Sequence, residues 1–294
     1  MKIITPDFLS ANFFMKDDTP EGINILPHVM PHQVHGKNII LVNDETFTKY
    51  SLPERPEADG ILLTTSKAEA SLRFADCAPV LIWGKSFAML LHSGYKGTVL
   101  NISGYGVELV REKHMSDNME NLREDDIDSG NRDWENVQAP QIDRLNELVS
   151  ENAKNLFEDA NDNVKNFHEN EDMRNFQEHA SEDINEPVNE NVQDLHAWIG
   201  PCIGREIYCR DVNDEWTQKG IKSFHRENYD DDGDKIYFDL AGEIKSQLLD
   251  AGLDERNITM TGINTYEDDR CYSYRRGDKV KRMMLHVRIK SQGD

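Results

Sequence analysis

Apolar residues gather in this chain into short continuous runs. Pro79-Val-Leu-Ile-Trp83 and Phe87-Ala-Met-Leu-Leu91 are each of strand length. Such runs, bounded by turn residues, predict β-strands. The same reading places strands at Asn38–Val42, Gly60–Thr65 and Ser71–Phe74, then at Ala197–Gly200, Ile258–Gly262 and Met283–Ile289. Pro79 keeps Ala78 out of helical geometry, so a sharp turn is expected beside Cys77. Gly94 and Gly97 give a flexible turn after His92, and a helix is expected over Val99–Lys113, weakened by Gly104 and Gly106. A firmer helix spans Asp239–Ala251: Asp239 caps it, Leu240, Ile244 and Leu248 line one face, and Gly252 ends it. Asp211 also reads as a helix cap. Strand clusters and helices do not alternate regularly, which predicts an α+β fold and not a doubly wound parallel sheet.

The pattern changes over residues 112–194. This block holds 24 Asp and Glu against 7 Lys and Arg, together with 15 Asn. It therefore carries 17 of the net charge of −22. Stretches such as Glu158-Asp-Ala-Asn-Asp-Asn163 read as solvated sequence. Ile142, Leu145, Leu148, Val149, Leu156 and Phe157 recur at helical spacing, so an amphipathic helix is expected over 140–159. Without the block, what remains has the size and charge of one ordinary domain. The block is read as an acidic, Asn-rich insertion into a catalytic domain spanning 1–294. It is read first as a solvated excursion, and docking of a partner or a second copy through the 140–159 helix is the alternative.

Charge narrows the function. A strongly acidic surface repels nucleic acid and anionic lipid, so neither is an expected partner. Cys77, Cys202, Cys209 and Cys271 form no C-x-x-C pair, and their wide spacing does not predict a disulfide framework. The N-terminus lacks an apolar core of signal-peptide length, and no run approaches the ~20 apolar residues that span a bilayer. A soluble, reduced, cytoplasmic protein is expected.

Cys77 ends one apolar run and His92 the next, while His32-Gln-Val-His-Gly36 supplies a further imidazole upstream. Two histidines and a thiolate make a zinc site with one position left open, the arrangement of catalytic zinc. His35, beside Gly36, is the preferred ligand and His32 the alternative. The spacings, 42 residues from His35 to Cys77 and 15 from Cys77 to His92, are not those of a compact finger. The same residues also allow a metal-free site in which Cys77 is a nucleophile paired with His92. Arg275-Arg276 is a candidate anion clamp, and the Gly94–Thr98 turn, containing Gly97, a second. Asp76 is the nearest candidate proton shuttle, and Trp198-Ile-Gly-Pro-Cys-Ile-Gly204 reads as a pocket wall.

Six segments in order resemble the YfiH-like family, also called the laccase-domain or polyphenol oxidase family. They are Gln33-Val-His-Gly36, Ala58-Asp-Gly60, Ala75-Asp-Cys-Ala-Pro79, His92-Ser-Gly-Tyr-Lys-Gly97, Ile199-Gly-Pro-Cys-Ile203 and Ser273-Tyr-Arg-Arg276. The resemblance implies mixed β-sheets flanked by helices and zinc held by His35, Cys77 and His92. It implies phosphorolysis of adenosine, inosine and methylthioadenosine, and deamination of adenosine, so that a purine nucleoside and phosphate are the expected partners. The chain departs from the family at three places. Tyr95 stands where Trp is usual, the acidic insertion is long, and Phe13-Phe-Met-Lys-Asp-Asp-Thr-Pro-Glu-Gly22 replaces the usual Gly-rich loop. The last departure puts phosphorolysis in question and leaves the metal site intact. Copper is the less favoured ion, because a multicopper oxidase needs more ligands than one His-Cys-His set and no His-x-His pair occurs. A non-enzymatic protein acting through the acidic insertion is the remaining alternative.

Overall fold

The two long apolar runs become neighbouring strands at the centre of a six-stranded sheet. In a computed structural model, which describes residues 1–20, 23, 25–111 and 191–291, β6 (Ala78–Trp83) pairs antiparallel with β7 (Ala88–Ser93). Every residue of both strands is buried, as a strand covered on both faces requires. The described residues belong to one compact unit, Met1–Asn118 with Pro187–Asp294. The insertion between 112 and 190, with its expected 140–159 helix, lies outside them.

The central sheet runs β12-β8-β6-β7-β4-β3, with β3 Ile39–Val42, β4 Gly60–Leu63, β8 His196–Ile199 and β12 Ile258–Met260. Parallel β3–β4 and β12–β8 pairs flank antiparallel ones, so the sheet is mixed. A four-stranded sheet of order β1-β13-β5-β2 packs on one face, from β1 Leu9–Phe14, β2 His28–Val29, β5 Glu69–Phe74 and β13 Met283–Ile289. Phe13, Leu72, Phe74 and Leu285 meet Leu81, Leu90 and Trp198 in the core between them. Because strand side chains alternate, Val80, Ile82, Met89 and Leu91 face the other way. They pack on Ile244 and Leu248 of the helix Leu240–Asp250 and on Ile102 and Val107 of the helix over 102–111. A third core, with Tyr95, Phe224 and Phe238, lies under the small sheet β10-β11-β9, from β9 Cys209–Asp211, β10 Tyr229–Asp231 and β11 Lys235–Phe238. The α+β expectation holds, with layers of sheet on sheet and helices on the outer face.

Several local expectations are corrected. The helix expected over Val99–Lys113 is broken: Tyr95–Val99 forms one short helix, and Asn101, at φ 56°, interrupts the chain before residues 102–111 form another. Gly106 is there for packing, since a Cβ would lie 2.6 Å from Met89 Sδ. Ala78 is extended, as the following Pro requires, and the turn falls at Asp76, at φ 81°. Asp239 does cap its helix, accepting from Gly242 N, and Gly252 follows the helix end at φ 101°. Asp211, by contrast, ends β9 and accepts from Asn213 N, while Asp214 caps the helix Glu215–Ser223. Among the described residues, no helix is long and apolar enough to cross a membrane.

Leu81 is fully buried between the two larger sheets. Leu81→Ala is expected to lower unfolding stability by about 2–5 kcal/mol in a denaturant titration, with the slope unchanged.

Candidate metal centre and its pocket

One end of the central sheet collects the chemistry. Cys77 precedes β6 and His92 lies in β7, with Pro79 opposite His92 in the register. Asp59 immediately precedes β4, and its carbonyl accepts from His92 N at 2.7 Å. The segment Val34-His35-Gly36 runs in toward β3, which pairs parallel with β4 from Ile39↔Gly60 onward. Antiparallel and parallel pairing thus bring four distant segments to one point.

Asp59 joins them. Its carboxylate is fully buried and accepts from three consecutive backbone groups: Val34 N at 3.2 Å, His35 N at 3.0 Å and Gly36 N at 2.7 Å. It also meets His92 Nδ1 at 2.7 Å. This fixes the His92 ring and leaves Nε2 as its outward nitrogen, the carboxylate–histidine arrangement that supports metal ligands. His35 sits at φ 62°, a left-handed conformation that the three N–H bonds hold in place. His35, Cys77 and His92 then each offer one ligand atom, all within 4.8 Å of one another. The two imidazole rings meet edge-on with centroids 4.8 Å apart. A Cβ on Gly94 would lie 2.8 Å from Cys77 Sγ and 3.1 Å from His35 Cδ2. One on Gly97 would lie 3.1 Å from the Gly36 carbonyl. These glycines make room for the cluster, a different part from the anion turn expected of them. His35 and not His32 joins the set, and His32 lines the pocket beside it.

Charge follows geometry. Burial pushes the Cys77 thiol up, but the adjacent His92 charge and hydrogen bonds from His35 and His92 outweigh it and bring the thiol down to about 6. Burial opposes the charged form of His92, yet Cys77 and Asp59 together carry it up to about 9. Without an ion, the pair is therefore a thiolate beside an imidazolium near neutral pH. That is a soft anion and two imidazoles, a donor set suited to zinc.

The cluster opens on a cavity of about 710 Å³. In so acidic a chain its wall is unexpectedly cationic, with Arg73, Lys96, Arg210, Arg275 and Arg282 against the single carboxylate, among the described residues, of Asp76. Burial, then the like charges of Arg55 and Arg282, hold the Arg73 guanidinium below its ordinary value. Tyr95, Tyr208 and Tyr274 supply aromatic surface, and Arg275 lies over the Tyr208 ring at 5.5 Å. Ile203 of the expected Trp198–Gly204 wall also lines the cavity.

The two expected arginines part company. Arg275 lines the cavity, whereas Arg276 does not. The Arg276 guanidinium donates to the carbonyls of Tyr266, Asp268 and Cys271 and so braces the loop. Asp76 accepts from Thr265 Oγ1 and from Arg275 N, each at 2.7 Å, so it is rigidly placed on the cavity wall. Gln33 exchanges two hydrogen bonds with the Arg73 backbone, which seats the His32–Gly36 segment on β5. Phe13 and Phe14 of the segment in place of the Gly-rich loop belong to β1, and residues 21 and 22 lie outside the described residues. Sequence reasoning missed Asp59, Arg73, Lys96, Arg210 and Arg282. Asp59 and Lys96 carried a signal, within the segments Ala58-Asp-Gly60 and His92-Ser-Gly-Tyr-Lys-Gly97.

A family model described as multi-copper polyphenol oxidoreductase laccase matches residues 20–123 and 171–290. No curated protein sequence matches the chain. Among solved structures, the fold is similar to the hypothetical protein YfiH of Bacillus licheniformis, with a TM-score of 0.59 and 18% identity over 96% of this chain and 93% of that one. It is similar to YlmD of Geobacillus stearothermophilus, with a TM-score of 0.56 and 19% identity over 90% of this chain and 74% of that one. A DUF152 protein of Neisseria meningitidis gives a TM-score of 0.56 at 13% identity, over 99% of both chains.

In metal-stripped protein, alkylation of Cys77 followed by peptide mass spectrometry is expected to reach half its maximal rate at about pH 6. A midpoint near the ordinary thiol value, about 8.5, would contradict the charge pairing. Asp59→Asn removes an acceptor for the Val34–Gly36 backbone and loosens His92. It is expected to weaken zinc binding by about 10–100-fold in a chelator competition.

Proposed function

Since the chain belongs to the multi-copper polyphenol oxidoreductase laccase family, we propose that it is a zinc-dependent purine nucleoside phosphorylase with adenosine deaminase activity. The observation that carries the reading is a His35–Cys77–His92 donor set opening on a cationic pocket in an acidic chain. The chemistry supplied by zinc held there is Lewis acidity, which brings water toward ionisation near neutral pH.

The chain's own residues account for the rest. In phosphorolysis, a phosphate oxygen bonds to C1′, the bond from C1′ to the purine nitrogen breaks, and the purine leaves with that electron pair and takes up a proton. The dianion needs fixed positive charge, and Arg275, with Arg73 and Arg282, lines the wall where it would sit. Tyr208 and Tyr274 offer flat surface for the base. In deamination, a water oxygen bonds to C6 and ammonia departs, so one group must accept a proton and return it. Asp76 is the one carboxylate on the wall among the described residues, and the Thr265 and Arg275 bonds fix its direction.

The family's description as a multi-copper polyphenol oxidoreductase supports a copper phenol oxidase. The donor set argues for zinc, because one thiolate and two imidazoles fill a single site and no His-x-His pair occurs in the chain. The thiolate–imidazolium pair also supports a metal-free Cys77–His92 hydrolase. Activity that survives complete chelation would select that reading.

Chromatography of adenosine with the purified protein is expected to give adenine and ribose 1-phosphate with phosphate present, and inosine without it. No turnover under either condition, with zinc bound, would overturn the proposal. Arg275→Ala keeps the backbone N–H that holds Asp76. It is expected to raise KM for phosphate by about 10–100-fold, the loss of one or two charged hydrogen bonds, and to leave deamination within a few-fold.

A further inference from the structure

A second group of ligating side chains lies apart from the pocket, on the polar face of the four-stranded sheet. In the register of β5 with β13, Leu72 faces Leu285 and Ala70 faces Val287 on the core side. The intervening residues must point the other way. Ser71 is opposite His286, and Glu69 is opposite Arg288. On the far edge of β5, His28 of β2 is opposite Glu69. Strand pairing alone therefore forces His28, Glu69, Ser71 and His286 together. All four are buried: His28 is 6% exposed, His286 5%, and Glu69 and Ser71 0%. None of them lines the large cavity.

The donor atoms converge. His28 Nδ1 lies 3.7 Å from one Glu69 oxygen, and His286 Nε2 lies 3.8 Å from the other. Each of the three residues offers a ligand atom within 4.8 Å of the others. Tetrahedral zinc with ligands at about 2.0–2.1 Å holds its donors about 3.4 Å apart, so the two His–Glu69 separations need to shorten by only a few tenths of an ångström. The opposite ring nitrogens both meet one hydroxyl: His28 Nε2 at 2.9 Å and His286 Nδ1 at 3.0 Å from Ser71 Oγ.

The hydrogen bonds at Ser71 suit a bound cation. A neutral ring turns N–H toward Glu69 only if it accepts from Ser71, and Ser71 has one hydrogen to give. With both rings neutral and Glu69 ionised, at most one ring can turn its N–H toward the carboxylate. With an ion present, both rings donate to Ser71, whose oxygen accepts twice, and both lone pairs turn inward with the carboxylate. That is the outer-shell arrangement that orients metal-binding histidines.

We propose that His28, Glu69 and His286 form a second, structural cation site that takes a divalent first-row transition ion, zinc foremost, and ties β2 and β13 to β5. Two imidazole nitrogens and both oxygens of Glu69, one facing each ring, supply four donors, as a closed and buried structural site requires. The test uses the full chain expressed with zinc, and metal per folded chain read by elemental analysis and native mass spectrometry. In the double variant His35→Ala, Cys77→Ala, the pocket set loses two of its three ligands. One zinc per chain is expected to remain there, and to be lost when Glu69→Gln is added. A folded double variant with no zinc overturns the proposal, and this result does not depend on whether the triple variant folds. Zinc retained in a folded triple variant overturns it as well.

Discussion

The carboxylate of Asp59 is the interaction on which the site depends. One buried anion accepts three successive backbone N–H groups of Val34, His35 and Gly36 and the Nδ1 of His92. A fully buried carboxylate is costly unless its lone pairs are filled, and these contacts fill them. Filling them holds His35 in a left-handed conformation and turns His92 so that Nε2 faces Cys77. The low thiol value of Cys77 and the high value of His92 both trace back to this one group and to the pairing it enforces.

Sheet topology makes this convergence possible. The site lies where β4, β6 and β7 meet the loops at one end of the central sheet, and each strand is locked by cores on both faces. A rigid scaffold of this kind presents reactive groups from loops without letting them drift. The same end of the sheet carries a local reversal of charge. Among the described residues, this chain of net charge −22 lines its cavity with five cations and one carboxylate. An anionic or phosphate-bearing ligand would thus be attracted at short range, despite repulsion from the acidic surface at long range.

Much of this was legible in the sequence. Continuous apolar runs gave β6 and β7, Asp239 and Gly252 bounded their helix, and strand-end polar residues marked Cys77 and His92. Preference for His35 over His32 rested on a neighbouring glycine, and Gly36 does supply one of the N–H groups that Asp59 binds. What stayed hidden were properties of tertiary packing. Asp59 looks like an ordinary turn residue until β4 and β7 pair. Arg73 reads as the polar position of a half-buried strand. Arg276 and Arg275 are indistinguishable in sequence, yet one braces a loop and the other lines the cavity. The glycines at 94 and 97 suggested an anion turn because sequence does not reveal which atoms press against a missing Cβ. The small sheet β10-β11-β9 escaped notice because its strands are short and two of them carry no buried residue.

The central claim is that His35, Cys77 and His92 grip one ion at the mouth of the cationic cavity. Anomalous diffraction at the zinc edge from crystals of the chain grown with zinc tests it most directly. The account predicts a peak among the three side chains, about 2.3 Å from the Cys77 sulfur and about 2.0–2.1 Å from one nitrogen of each ring. Crystals of zinc-loaded protein with no peak there, and Cys77 in direct hydrogen bond to His92, would contradict it.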